Sequence, residues 1–199
     1  MMFFGPDHIV ATMVAVSFAA GLNVSATMAT LGLLGRLNLL TLPAPIAVLS
    51  NDWVLAGSLL LFALEFFADK VPVFDLFWNV LQTFMRVPAG ALLAWSATTS
   101  LSATGQITVA VAGALIALAA HCGKLALRTT VTPSPEPVSN VALSLGEDVV
   151  AIGMTWFATE HPYLALAVAL MLVATVAVVI RWVWRALKDT FRRSPTRLA

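Results

Sequence analysis

The sequence predicts an all-α, polytopic integral membrane protein: a compact bundle of about six transmembrane helices, with proline-broken or re-entrant polar hairpins at its cytoplasmic side. Hydrophobic residues make up 60% of the 199-residue chain and charged residues only 11%, against roughly 25% charged in a soluble globular domain. The apolar runs are also long and do not alternate with polar residues. This pattern suits helices, because a helix satisfies its own backbone hydrogen bonds in lipid.

The size of the chain leaves room for one bundle with short loops. No segment has the composition of a separate soluble domain, so residues 1–199 are expected to form a single transmembrane domain. The N-terminal segment MMFFGPDHIV lacks the basic region of a signal peptide and carries Asp7, so we expect it to be retained. A single cysteine, Cys122, cannot form an internal disulfide.

The first and last helices are predicted from two uncharged runs. Residues 9–34 contain no charged residue, and Arg36 is the first one after them. As a helix they would span about 39 Å, more than the ~30 Å hydrocarbon core. Residues 163–180 are apolar and precede RWVWR, an aromatic and basic pattern typical of the membrane interface. They predict a helix near 163–185, followed by a basic cytoplasmic tail over residues 186–199.

The four central helices are predicted from shorter apolar runs, at residues 53–64, 87–101, 107–120 and 149–159. Each run is shorter than the ~20 residues that a spanning helix needs, so each helix must extend into polar neighbours. The resulting helices lie near 53–69, 75–101, 107–128 and 138–159. Together with the first and last helices they make six spans.

The distribution of basic residues indicates an orientation. With six spans and both termini inside, all Lys and Arg residues except Arg36 fall on the inner side, as the excess of basic residues in cytoplasmic loops requires. The sequence therefore predicts a multi-pass protein of the bacterial inner membrane with both termini cytoplasmic.

Each of the four central helices carries polar side chains at helical spacing, so that they share one face. Glu65 and Asp69 are four residues apart, and the third helix has a polar stripe that ends at Arg86. We take these polar residues as candidate binding residues for an ion or a solute. They are Glu65, Asp69, Lys70, Asp75, Arg86, His121, Lys124, Arg128, Asn140, Ser144, Glu147 and Asp148.

Glu147 and Asp148 are the most informative of these candidates, because a helix over residues 138–159 would place both near its middle. A charge at the bilayer centre costs about 2.5–3.5 kcal/mol, so it should face protein or water and find partners. Lys124 and Arg128 are the nearest basic residues. In a competing arrangement the segment TPSPEPVSN folds inward and leaves the two acids at a helix N-terminus, where the helix dipole favours them.

Other polar residues have simpler interpretations. Ser17, Gly21 and Ser25, at intervals of four, predict close helix packing, whereas Asn23 beside them is less easily explained by packing. His121, Cys122, Glu65 and Asp148 belong to metal-binding residue types, but no repeated His or Cys spacing supports a metal site. The sequence leaves any cofactor undetermined and assigns no catalytic residue.

Three segments resemble the signature of DUF4126, a bacterial membrane family of unknown function. They are EFFADKVPVFDLFWNVLQTFMRVPAGALLA from Glu65, HCGKLALR from His121, and SPEPVSN followed by SLGED. The likeness extends over residues 21–148. It implies no activity, but it implies that the polar positions are the hallmark of the family. These positions are Glu65, Asp69, Lys70, Asp75, Arg86, His121, Lys124, Arg128, Ser139, Asn140, Glu147 and Asp148.

Three functions remain open on the sequence. The first is a small transporter or channel that moves an ion or solute through a polar site of the four central helices. The second is an enzyme or flippase acting on a lipid head group at the cytoplasmic face, where Arg86, Lys124 and Arg128 would hold phosphate. The third is a non-catalytic membrane scaffold. No nucleophile motif or glycine-rich phosphate loop is present, which places an enzyme below a transporter.

The expected partners follow from the same composition. They are the lipid bilayer and a small solute, ion or lipid head group. Chains this small also often assemble as homo-oligomers, although no feature of the sequence shows one. The basic C-terminal segment indicates contact with anionic lipid or cytoplasmic anchoring, not nucleic-acid binding.

Overall fold

The computed structural model describes residues 6–69, 72–131 and 137–192, and the side chains of most of them. The described residues form helices and no strands. In chain order they are α1 (Pro6–Leu22), α2 (Val24–Arg36), a short 3₁₀ helix (Ala44–Ser50), α3 (Asp52–Ala68), α4 (Pro72–Ala97), α5 (Ala103–Val131), α6 (Pro137–Glu160) and α7 (Pro162–Arg192).

The helix starts follow from local sequence. Pro6, Pro72, Pro137 and Pro162 each stand at the first position of a helix, where the missing N–H costs nothing and the fixed φ is already helical. At the start of α3, the side chain of Asn51 accepts a hydrogen bond from the backbone N–H of Trp53 at 3.0 Å, as an N-cap residue does.

The first predicted helix is divided into two. Asn23 has an extended backbone (φ −151°, ψ 102°) and its side-chain oxygen accepts a hydrogen bond from the N–H of Ala26 at 2.8 Å. Asn23 therefore separates α1 from α2 and caps α2. The sequence predicted one helix over residues 9–34 and missed this break. Asn23 is uncharged and does not interrupt the run, and nothing in the run shows that it caps a second helix.

Helix α1 lies at the centre of the bundle and packs against α4, α5, α6 and α7. Small residues permit this: a β-carbon added at Gly21 would collide with the carbonyl oxygen of Ala117, and the hydroxyl of Ser17 donates to the carbonyl of Gly90 at 3.1 Å. The close packing predicted for Ser17 and Gly21 is confirmed. Ser25 instead donates a hydrogen bond to Glu65 at 3.3 Å.

The contacts of α1 fix the directions of its neighbours. Thr12 contacts the carbonyl of Ala158 at 3.3 Å and Asn23 contacts Asp148 at 2.9 Å, so α1 and α6 are antiparallel. Asp7 accepts a hydrogen bond from Tyr163 at the end of the bundle where α6 ends and α7 begins.

Helix α7 carries the chain to the other end of the bundle. It passes Gly123 of α5 at Val176 and continues to Arg192. The start of α1 and the end of α7 therefore lie at opposite ends, which differs from the predicted placement of both termini on one side. That prediction counted residues 9–34 as one continuous helix, whereas Asn23 divides them into α1 and α2.

Three of the described helices are long and apolar enough to cross a membrane: Ala103–Arg128, Val141–Glu160 and Pro162–Trp182. The number rises to four if the bent pair Ala44–Ser50 and Asp52–Ala68 counts as one crossing. Large apolar side chains, among them Trp53, Leu115, Leu164 and Trp182, are exposed on the outside of the bundle. These features indicate a helical membrane protein, and the six-span count stays a prediction.

Candidate functional site

Charged and polar side chains are buried where α3, α4, α5 and α6 meet the break between α1 and α2. We call this group the buried polar cluster. Its described members, all buried except the partly buried Thr83, are Asn23, Ser25, Glu65, Asp69, Gln82, Thr83, Arg86, His121, Lys124, Arg128, Ser144, Glu147 and Asp148.

Glu65 and Arg86 form the ion pair between α3 and α4. Both residues are 0% exposed, and the guanidinium donates directly to the carboxylate. Gln82, one turn before Arg86 on the same face, accepts from Nε of Arg86 at 3.3 Å, and Ser25 donates to the second oxygen of Glu65 at 3.3 Å. A buried ion pair needs such additional hydrogen bonds to offset the loss of hydration.

His121 bridges the same arginine to Thr83. Nη1 of Arg86 lies 3.0 Å from Nδ1 of His121, and Oγ1 of Thr83 lies 2.7 Å from Nε2. Arginine can only donate, so Nδ1 must be the acceptor, and the remaining proton of the neutral ring lies on Nε2. His121 therefore donates to Thr83 in this arrangement, and a second ring proton would break the contact with Arg86.

Lys124 stands among three carboxylates. Its Nζ lies 3.0 Å from Glu147, 3.3 Å from Asp69 and 3.9 Å from Glu65. It also reaches the carbonyl oxygen of Leu22, the last residue of α1, at 3.4 Å. Because an ammonium group has three N–H donors, Lys124 can join α3 and α6 to the end of α1.

Arg128 joins the same two acids one turn further along α5. Its Nη2 lies 2.7 Å from both Asp69 and Glu147, and its Nε lies 3.3 Å from the second oxygen of Glu147. The contact with Glu147 is thus a bidentate pair, the strongest geometry for an arginine and a carboxylate.

Asp148 has different surroundings from the other acids. One of its oxygens accepts from the side-chain amide of Asn23 at 2.9 Å. Its second oxygen is buried without a hydrogen-bond partner in the described part of the chain, and so is the hydroxyl of Ser144, one turn earlier on α6. Among the described residues, none forms an ion pair with Asp148 within 4.0 Å.

The structure brings together most of the residues that the sequence singled out. Glu65, Asp69, Arg86, His121, Lys124, Arg128, Glu147 and Asp148 are buried and linked by contacts, and Ser144 is buried on the same helix face as Asp148. Lys70 lies outside the described residues, and so do the side chains of Asp75 and Asn140.

The position of Glu147 and Asp148 within their helix is now fixed. Helix α6 begins at Pro137 and ends at Glu160, so both acids stand near its middle. The competing arrangement, with the acids at a helix N-terminus, is wrong. Proline at position 137 does not exclude helix there, because it occupies the first helical position.

Sequence reasoning left four members of the cluster out of the candidate list: Asn23, Ser25, Gln82 and Thr83. Gln82 and Asn23 could have been found from the sequence, because Gln82 lies on the polar stripe of α4 and Asn23 is an amide inside a long apolar run. Ser25 and Thr83 could not, because a hydroxyl in a membrane helix commonly bonds to its own backbone.

The charges of the cluster set what it can do chemically. Its described members include four carboxyl groups and three basic groups, two arginines and one lysine, which leaves one carboxyl in excess among them. No group of three or more His, Cys, Asp or Glu side chains in the described part of the chain is arranged to hold a metal ion. The arrangement can therefore keep charged groups inside the bundle. A basic side chain in it can also change its partner from one neighbouring acid to another.

Comparison with known proteins places the chain in a family. A family model described as "Domain of unknown function (DUF4126)" matches residues 10–182, a range that contains every described member of the buried polar cluster. No curated protein and no solved structure matches the chain significantly. The match covers most of the chain, and the chain therefore belongs to the DUF4126 family.

Proposed function

We propose that this protein is a small membrane transporter or channel, which moves an ion or a small solute through a site formed by the buried polar cluster. The observation that carries the proposal is the burial of ionisable side chains from four helices at one position inside an apolar bundle. Such residues are rare inside membrane segments because they are costly, and they commonly mark the pathway of an ion or a substrate.

The break at Asn23 supports the same proposal. Residues on both sides of the break take part in the cluster: Leu22 accepts a hydrogen bond from Lys124, and Ser25 donates one to Glu65. Transporters commonly bind substrates and coupling ions at interrupted helices, where backbone groups are released from the helical hydrogen-bond pattern. A broken helix that contacts buried charges is therefore the feature expected of a transport site.

The proposal includes an orientation in the bacterial inner membrane. Arg181, Arg185 and Lys188 lie in the last part of α7, and basic residues are enriched on the cytoplasmic side. The end of α7 would then face the cytoplasm, together with the polar connections from α3 to α4 and from α5 to α6. The start of α1 would face the opposite side.

A scaffold function is the second candidate, and the pairing of the cations favours it. Arg86, Lys124 and Arg128 each contact a carboxylate, as they would in a network that only fixes how the helices pack. A lipid head-group enzyme or flippase has less support, since a phosphate would have to displace these carboxylates.

Flux into sealed vesicles tests the proposed function. The purified protein is reconstituted, and labelled cations, anions and small metabolites are supplied outside. We expect uptake of at least one of them by the wild type, and its loss in Glu147→Gln, which weakens the contacts to Lys124 and Arg128. Glu160→Gln is the matched control, because Glu160 is an exposed acid at the end of the same helix.

The outcomes separate the candidate functions. Uptake that is unchanged in Glu147→Gln would remove this acid from the transport site. No uptake of any solute, with a lower unfolding temperature for Glu147→Gln alone, would favour the scaffold. Reorientation of a labelled lipid without any solute would favour the flippase.

A further inference from the structure

Asp148 differs from the other acids of the buried polar cluster in the charge of its partners. Glu65, Asp69 and Glu147 each contact an arginine or a lysine within 4.0 Å. Asp148 is 4% exposed, and its hydrogen-bond partner is the neutral amide of Asn23. Among the described members of the cluster it is thus the carboxyl in excess, since three other acids balance the three basic groups.

One oxygen of the Asp148 carboxyl group is available to a ligand. The oxygen that does not contact Asn23 is buried and lacks a hydrogen-bond partner among the described residues, and the same holds for the hydroxyl of Ser144, which is 0% exposed. Residues four apart lie next to each other on one face of a helix. Two unsatisfied oxygens therefore stand one turn apart, and a buried polar atom without a partner is costly.

The number of available oxygens favours a proton over a metal ion. A bound metal cation needs several oxygen ligands, but Asn23 turns its amide N–H toward Asp148 and its oxygen toward the N–H of Ala26. No set of three or more acidic, His or Cys side chains for a metal occurs in the described ranges. A proton needs only the vacant oxygen of Asp148 and one acceptor. The hydroxyl of Ser144, one turn earlier on the same helix face, does not bond to Asp148 in the structure, and a rotation of the two side chains would bring it to that oxygen.

We infer that Asp148 takes up and releases a proton, and that in its protonated form it donates a hydrogen bond to the hydroxyl of Ser144. This inference rests on the proposed function and names its ion: the proton is either transported or coupled to the transported solute. Uptake of one proton would bring the described charges of the cluster into balance. Release would leave a negative charge close to Lys124, which already contacts three carboxylates.

Asp148 lies against the neutral amide of Asn23, between α1 and α2. The titratable and charged groups of the cluster on the neighbouring helices are Glu147 on α6, His121, Lys124 and Arg128 on α5, Glu65 on α3 with Asp69 just after it, and Arg86 on α4. The three cations pair with the three other acids. A change in pH would therefore act first on the acid that has no cationic partner.

Difference infrared spectroscopy across a pH series tests this inference. The purified protein is prepared with and without aspartate carrying ¹³C in its side-chain carboxyl. We expect a protonated-carboxyl C=O band that decreases as the pH rises, shifts with the isotope label and disappears in Asp148→Asn. Ser144→Ala should move the band to the frequency of a less strongly hydrogen-bonded carboxyl. Ser58→Ala is its matched control, because the hydroxyl of the buried Ser58 donates to the carbonyl of Val54 in its own helix and contacts no acid among the described residues.

Several results would overturn the inference. They are the absence of a label-sensitive band, a band that persists in Asp148→Asn, and a band that does not change with pH. The isotope label assigns the band to aspartate even if Asp148→Asn does not fold, and Ser144→Ala then identifies which aspartate carries the proton. An unchanged band in Ser144→Ala would contradict the assignment.

The spectra also separate this inference from the proposed function, because they need no transport. A titrating Asp148 band together with no flux in vesicles would refute the transporter and leave the proton site. Flux without such a band would refute the proton site and leave the transporter. If both hold, a pH-sensitive dye inside the vesicles should report a pH change during uptake by the wild type and by Glu160→Gln, but not by Asp148→Asn.

Discussion

The side-chain amide of Asn23 donates a hydrogen bond to the carboxylate of Asp148 over 2.9 Å, and so joins the break between α1 and α2 to the middle of α6. The same side chain caps α2 through its oxygen. Asn23 thus separates α1 from α2, caps α2 and bonds to Asp148, the acid of the cluster that has no cationic partner among the described residues.

Replacement of Asn23 should cost more stability than the loss of a helix cap. Asn23→Ala removes the cap of α2, worth about 0.5–2 kcal/mol, and also leaves a buried carboxylate oxygen without its donor, worth about 1–3 kcal/mol. Asn51→Ala is the matched control, because Asn51 caps α3 at the surface and its side chain bonds to no acid in the described part of the chain. Thermal unfolding in detergent should give a larger loss for Asn23→Ala, and equal losses would show that the contact with Asp148 contributes nothing.

The buried pair Glu65–Arg86 should be far more sensitive to mutation than the exposed pair Arg36–Asp52. Removal of one partner from a buried pair costs about 3–5 kcal/mol, since it leaves an uncompensated charge, whereas an exposed pair contributes about 0–1 kcal/mol. We therefore expect Arg86→Gln to lower the unfolding temperature strongly and Arg36→Gln, whose 2.9 Å ion pair is exposed, to leave it nearly unchanged. Similar effects of the two variants would mean that water reaches Glu65 and Arg86.

A side chain at Gly21 should separate α1 from α5. A β-carbon at this position would collide with the backbone of Ala117, whereas one at Gly153 would meet no atom within 4 Å. Gly21→Ala is expected to destabilise the protein by about 1–3 kcal/mol, the typical cost of overpacking. Gly153→Ala should be neutral or slightly stabilising, because alanine favours a helix more than glycine does. Denaturant unfolding measures both changes, and a neutral Gly21→Ala would contradict the packing of α1 on α5.

Thiol labelling can establish which ends of the bundle lie on the same side of the membrane. In a variant without Cys122, single cysteines are placed at Asp7, Glu160 and Lys188, which are exposed. The hydrogen bond of Asp7 to Tyr163 places the first two positions at one end of the bundle. A membrane-impermeant reagent added to intact cells should therefore label the cysteines at Asp7 and Glu160, and should label that at Lys188 only after permeabilisation. Protection of the cysteine at Asp7, as for the one at Lys188, would restore the sequence prediction that both termini lie on one side.

The candidate site was easier to predict than the path of the chain. Charged side chains inside apolar runs are costly wherever they lie, so Glu65, Glu147 and Asp148 stood out without any knowledge of the fold. Asn23 was harder to interpret, because an uncharged amide in an apolar run is compatible with an unbroken helix. Its effect on the backbone depends on its contact with Asp148, which lies 125 residues further along the chain and which the apolar run does not show.

The sequence by itself determined that the chain is a helical membrane protein with polar residues gathered on its central helices, because composition and helical spacing are local properties. The tertiary structure alone decided which acid pairs with which base. Lys124 lies between three carboxylates from two other helices, and Asp148 lies beside Asn23 instead. Those pairings depend on how the helices cross at Gly21, Gly90 and Gly113, where missing side chains let the backbones approach. That close approach sets the distances between helices that are far apart in the chain. A local sequence pattern therefore cannot predict the pairings.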